Sequence, residues 1–156
     1  MNEINHKHVE RSATPKYREI KFRGFTNNEL TNKWVEGYYS FHSGYDRITR
    51  FEDGRMKEYS VDRDSVGEFT GLHDRDGKEI YEGDLFDCIY LFDGCDGHRF
   101  EVVYNNDTTD FRLKRIGGEC QQKSVFQSIR DVARYGIIGN IYEQPTADTA
   151  QAAEGE

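Results

Sequence analysis

The chain is poor in proline, with two in 156 residues, and it carries one tryptophan and three cysteines. Cys88, Cys95 and Cys120 are an odd number without paired metal-ligand spacing, so neither a disulfide framework nor a zinc knuckle organises the fold. A reducing cytoplasm with three thiols is the expected setting. Nowhere do about 18 apolar residues run together, which excludes a membrane-spanning helix. The N-terminus has no apolar signal-peptide core, so export by that route is not expected. An excess of positive charge is missing too. The formal net charge of −8 argues against general affinity for nucleic acid, which depends on Lys and Arg displacing counterions from phosphates. It leaves a basic partner open. No Gly-x-Ser-x-Gly elbow, phosphate-cradling glycine loop or dinucleotide fingerprint occurs.

What the chain has is aromatics and turns. Hydrophobic residues make up only 35%, yet ten Phe and ten Tyr are among them, beside fifteen Gly. Aromatic side chains carry large apolar area and favour pleated, half-buried surfaces. Glycine in this number points to repeated tight turns. The length fits one domain of roughly 100–150 residues or slightly more. The expected class is mainly β with minor α: small, barrel-like, strongly twisted antiparallel sheets built of hairpins, with one short helix near the C-terminus.

Residues 1–15 are polar and aperiodic and are read as a disordered arm; residues 145–156 are read as a disordered acidic tail. The β domain spans 16–144. Tyr17–Phe25 alternates, with Ile20 and Phe22 opposed to Lys21 and Arg23, and pairs with an aromatic strand at Trp34–Phe41 in which Gly37 marks a bulge or close approach. Asp53-Gly54 sits between Arg47–Phe51 and Met56–Val61, a strong hairpin signal. The same device recurs at Asp76-Gly77, and again at Asp93-Gly94 between Leu85–Phe92 and Arg99–Tyr104. Phe111–Ile116 is a further strand. In Ser124–Ala133, Val125, Phe126, Ile129, Val132 and Ala133 fall at helical spacing behind a Ser124 cap, predicting a helix that Gly136 ends. Ile137–Ile141 follows as a final buried strand.

Several clusters invite a chemical reading. Asp74-Arg75-Asp76-Gly77 resembles half a calcium loop, but its glycine follows the second Asp at once and its flanks read as strands. A hairpin turn is the better account. Asp93, Cys95, Asp96 and His98 are close in sequence, but strand alternation turns Cys95 and His98 apart and four paired ligands are lacking. Glu79, Glu82 and Asp84 read as a solvated strand face sooner than as a catalytic pair. His6, His8, His42, His73 and His98 are scattered. Arg18, Lys21 and Arg23 form a short basic stripe, which is read as a solvated face. Tyr38, Tyr39, Tyr45, Tyr81, Tyr90 and Tyr104 suggest a base-stacking platform only if a cationic groove accompanies them. No residue is therefore assigned a catalytic, cofactor-binding or metal-binding role, and no cofactor is expected.

Three segments in order resemble the YopX-like phage and prophage protein family. They are Arg18-Glu19-Ile20-Lys21-Phe22-Arg23-Gly24-Phe25; the stretch Phe69–Asp84, with Thr70-Gly71-Leu72 and Asp76-Gly77-Lys78-Glu79-Ile80-Tyr81-Glu82-Gly83-Asp84; and Ile138-Gly139-Asn140-Ile141-Tyr142-Glu143 before Pro145. His73 and Arg75 depart from the usual pattern of the middle segment. The resemblance implies a mostly β fold of barrel-like character and a phage or prophage origin, and it brings no established activity with it. The expected function is an accessory protein that binds a macromolecule without catalysis, a protein sooner than a nucleic acid, with self-association into a homo-oligomer expected. The alternatives are a single-strand nucleic-acid binder and a divalent-metal hydrolase using Asp74, Asp76, Glu79 or Asp84. The central signature itself is expected to be scaffold, with Gly71, Gly77 and Gly83 at positive φ.

Overall fold

The computed structural model describes residues 17–26, 32–87, 99–117 and 127–143. The described residues form two antiparallel sheets. The first holds six strands in the order β4-β3-β2-β1-β5-β6 and the second five in the order β10-β9-β8-β7-β11. In the first sheet these are β1 (Phe22–Phe25), β2 (Trp34–His42), β3 (Tyr45–Glu52), β4 (Arg55–Ser60), β5 (Gly67–His73) and β6 (Glu79–Tyr81). The second contains β7 (Asp84–Asp87), β8 (Arg99–Asn105), β9 (Asp110–Ile116), β10 (Gln127–Ser128) and β11 (Gly139–Asn140). The mainly β expectation holds. A closed barrel does not form among the described residues: β4 and β6 are edges of one sheet, β10 and β11 of the other.

Turn chemistry builds the first sheet. Asp53 and Gly54 have φ of +50° and +76°, the left-handed pair that closes a two-residue hairpin with the right twist, and β3 and β4 pair from Glu52↔Arg55 to Arg47↔Ser60. A second such turn, at Ser43 and Gly44 with φ of +54° and +82°, joins β2 to β3. β2 divides its pairing: Trp34–Gly37 lies against β1 and Tyr38–His42 against β3. Gly37 sits at that division, and a Cβ there would lie 2.3 Å from the Thr49 carbonyl oxygen. The close approach expected from the sequence is real.

The central signature folds as a hairpin and a corner. Gly71, Gly77 and Gly83 have φ of +84°, +81° and +81°, as expected. β5 pairs with β6 through a register shift between Phe69 and His73, where Gly71 takes the left-handed conformation typical of a bulge. Glu82 and Gly83 then carry the chain from the first sheet into the second.

Two apolar clusters form the core of the described residues, and the larger joins Ile80 of the first sheet to residues of the second. Ile80, Phe86, Phe100, Val102, Leu113, Ile129 and Val132 form the larger cluster; Val35, Ile48 and Val61 form the smaller. Each such side chain contributes about 1.5–3 kcal/mol by leaving water. The predicted helix at Ser124–Ala133 is corrected in its described part, since residues 118–126 lie outside. Gln127-Ser128 pairs with Leu113 and Arg112 of β9, and Ile129–Asp131 is a single 3-10 turn. Positions i and i+3 eclipse in that geometry, so one turn delivers both Ile129 and Val132 to the core. The predicted buried strand Ile137–Ile141 also shrinks. Only Gly139 and Asn140 pair, with Leu85 and Asp84 of β7, and the buried residue is Asn140, while Ile138 is 49% exposed. The predicted arm, the tail and the Asp93–His98 loop lie outside the described residues.

Candidate functional site

The acidic residues of the signature serve as fasteners. Asp74 is 7% exposed; its Oδ1 accepts the amides of Asp76 and Lys78 at 2.9 Å, and its Oδ2 accepts the amide of Ile137 at 3.0 Å. Burial works to raise its pKa, but these three amides prevail and it lies below the usual carboxylate range. Asp84 is 1% exposed. It pairs with Arg23 at 2.7 Å, accepts the Tyr81 amide at 2.8 Å, and takes Asn140 Nδ2 at 3.3 Å. Glu79 binds Lys21 and accepts the Tyr81 hydroxyl at 2.7 Å. Burial would raise the Glu79 pKa, yet these bonds hold it low. Glu82 spans the two sheets, accepting the Glu68 amide of β5 at 3.1 Å and the Tyr104 amide of β8 at 3.0 Å. Asp76 is exposed beside Arg75. Among the described residues no three side chains of His, Cys, Asp or Glu converge to hold a metal ion.

The basic stripe is likewise occupied. Arg18 meets Glu68 at 2.6 Å, Lys21 meets Glu79, and Arg23 meets Asp84. Arg23 lies between the rings of Trp34 and Tyr81, 4.7 and 4.6 Å from their centroids. Stacking of this kind holds a guanidinium without water, and its Nε is buried without a hydrogen-bond partner. Lys21 sits 4.8 Å from the Phe69 ring centroid. Burial and the Glu79 bond push the Tyr81 hydroxyl far above its ordinary value.

The tyrosines do not share a platform. Tyr81 is 1% exposed in the core, Tyr104 packs edge-on against Phe111 in the second sheet, and Tyr90 lies outside the described residues. Tyr39 donates to Asp46 at 2.5 Å, a bond that raises the phenol and lowers the carboxylate. Tyr38 and Tyr45 lie elsewhere, on the opposite face of the β2–β3–β4 meander. Side chains alternate across a strand. One face of the meander therefore carries Val35, Ile48 and Val61 to the smaller core. The other carries Tyr38, His42, Tyr45, Phe51, Met56 and Glu58.

That second face is open. Tyr38 is 67% exposed, Tyr45 59%, Phe51 70% and Met56 63%, and Phe51 stands directly opposite Met56 across β3 and β4. Arg47 bridges the face, bonding His42 Nε2 at 2.8 Å and Glu58 at 3.2 Å. The covered face beneath it is pinned by Glu52, which accepts the Tyr59 hydroxyl at 2.6 Å. That bond first, and Lys57 second, hold the Glu52 carboxyl at about 2. At the Ser60 end a cleft of about 490 Å³ opens beside Tyr45 and Arg63. Arg63 is fixed through Nε to Asp46 at 3.1 Å and lies over the Phe41 ring. Tyr38 and Tyr45 were candidates from sequence. Phe51 and Met56 were not, although their places flanking Asp53-Gly54 set them opposite each other.

A family model described as YopX protein matches residues 21–147. A search of curated proteins found no match.

Proposed function

The chain belongs to the YopX protein family, and on that premise we propose that it is a phage- or prophage-encoded accessory protein that binds another protein and catalyses nothing. The setting proposed is the cytoplasm of the bacterial host. The observation that carries this reading is the open meander face, where Tyr38, Phe51 and Met56 remain more than half exposed. Clusters of exposed aromatic and methionine side chains characterise protein-binding surfaces. A hydrolytic role is disfavoured because Asp74, Glu79 and Asp84 already spend their oxygens on amides, Lys21 and Arg23. A single-strand nucleic-acid role is disfavoured because Arg18, Lys21 and Arg23 each face a carboxylate.

The test compares the wild-type chain with the triple variant Tyr38→Ser/Phe51→Ser/Met56→Ser as bait in extract of the infected host. A protein held by the wild type and lost by the equally stable variant is the expected result. Equal capture by both refutes the reading. So does tight binding of labelled single-stranded DNA at low salt that weakens steeply as salt rises.

A further inference from the structure

The meander face ends at a strand edge whose hydrogen-bonding pattern can be worked out. The Val61 amide donates to the Asp46 carbonyl at 3.0 Å, in line with the register Glu52↔Arg55, Arg50↔Lys57 and Ile48↔Tyr59. Residues 55, 57, 59 and 61 therefore turn their backbone groups toward β3, because successive residues of a strand alternate sides. Met56, Glu58 and Ser60 turn theirs outward. No backbone partner for these three occurs among the described residues, and β4 is the outermost strand of its sheet. The same three residues place their side chains on the open face beside Phe51.

A second copy of this chain fits the edge poorly. An antiparallel two-fold pairing of β4 with itself puts facing side chains on the same surface only when the axis passes through a residue. The two registers that overlap most then oppose Lys57 to Lys57 or Glu58 to Glu58, and like charges directly opposite are destabilising. Shifting the axis to Met56 sets Arg55 against Lys57, and shifting it to Tyr59 leaves only Glu58 to Ser60 overlapping. A foreign strand has no such conflict.

We propose that β4 is an acceptor edge for an extended segment of the partner protein, added antiparallel beside Met56, Glu58 and Ser60. This rests on the protein-binding reading and names its mode. Main-chain bonds in strand addition give affinity, and alternate side chains give specificity. Here the segment carries a basic residue opposite Glu58, which is half exposed and among the described residues shares its charge with Arg47 alone, an apolar one opposite Met56 and a carboxylate opposite Arg55, an exposed cation. Lys57 asks for less, being already bonded to Glu52 at 3.1 Å and Asp53 at 3.0 Å. The chemistry sought is thus basic, any, apolar, acidic.

The probe is a synthetic peptide reading Thr-Thr-Lys-Glu-Ile-Glu, titrated into the full chain while amide hydrogen exchange is followed by NMR. At saturation the amides of Met56, Glu58 and Ser60 are expected to slow at least about tenfold, while those of Lys57 and Tyr59 stay unchanged. Glu58→Arg is expected to weaken the peptide about fivefold and to favour the charge-swapped peptide instead. Methylating the peptide's edge-facing nitrogens should abolish binding. Three results overturn the proposal: no protection of these amides at millimolar peptide, binding that survives methylation, and protection without peptide that grows with protein concentration, which assigns the edge to a second copy. A partner that is lost by the Tyr38/Phe51/Met56 variant but whose binding leaves these amides unprotected overturns strand addition alone and leaves the face as the binding site.

Discussion

Replacing Asp84 by leucine tests whether the signature holds the two sheets together. The Arg23–Asp84 pair joins β1 to β7 with side chains only 8% and 1% exposed, so removing one partner strands a guanidinium that already has an unpaired Nε. Breaking a buried pair this way costs about 3–5 kcal/mol. The loss of the acceptor for the buried Tyr81 amide is included in that range. With a urea slope of about 2 kcal/mol/M, the midpoint falls by about 1.5–2.5 M. Arg23→Met leaves Asp84 with Asn140 and the Tyr81 amide but no cation, and is expected to fall in the same range. The double variant Arg23→Met/Asp84→Leu removes both charges. It keeps the cost of the stranded Tyr81 amide and Asn140 Nδ2, about 1–3 kcal/mol, so it is more stable than either single variant. Equilibrium urea unfolding of the four proteins gives the coupling directly. Additive losses, or a single-variant loss below about 1 kcal/mol, would refute the claim that this pair is a dry inter-sheet fastener.

Two further outcomes follow from the turns and from Glu52. Gly83→Ala is expected to cost more than Gly54→Ala although both glycines are left-handed: a Cβ at 83 meets Asn140 Nδ2 at 3.1 Å, and one at 54 meets nothing within 4 Å. The backbone cost alone is about 1–2 kcal/mol, so thermal unfolding should separate the two, and equal losses would show the corner to be loose. Glu52 has a folded pKa of about 2 against 4.5 ordinarily. A depressed folded value means its contribution is fully present above the unfolded pKa and is lost as pH falls from about 4.5 to 2. The urea midpoint of wild type should therefore decline across that window more than that of Glu52→Gln; parallel curves would refute the assignment.

Much of the first sheet was legible because its turns are written in dipeptides. Asp53-Gly54 and Asp76-Gly77 sit between alternating runs, and both are hairpins. Ser43-Gly44 closes an equally tight turn without marking it in the sequence, since serine at positive φ is a weaker signal than asparagine or aspartate. The C-terminal stretch misled for a different reason. Apolar residues at spacing three satisfy an α-helix and a 3-10 turn alike, and the register of Gln127-Ser128 on β9 is a tertiary choice that local periodicity does not contain. Ile137–Ile141 failed similarly. Its residues look like a buried strand, but the chain there needs Asn140 inside, to reach Asp84.

The candidate site was legible only in half. Tyr38 and Tyr45 drew notice as aromatics, but what makes them a face is the parity of β2 against β3 and β4, which depends on the turn at Ser43-Gly44. The carboxylates of the signature attract the chemical readings, and all but the exposed Asp76 are engaged: Asp74 on three amides, Glu79 on Lys21 and the Tyr81 hydroxyl, Glu82 on one amide from each sheet, Asp84 on Arg23. A carboxylate has about four lone-pair directions; Asp74 and Asp84 each give three of them to protein donors and are buried, which leaves little for a metal or a substrate proton. That places the recognisable part of the chain in the scaffold. On the proposed reading a partner is met by the meander instead, where Tyr38, Phe51 and Met56 are exposed.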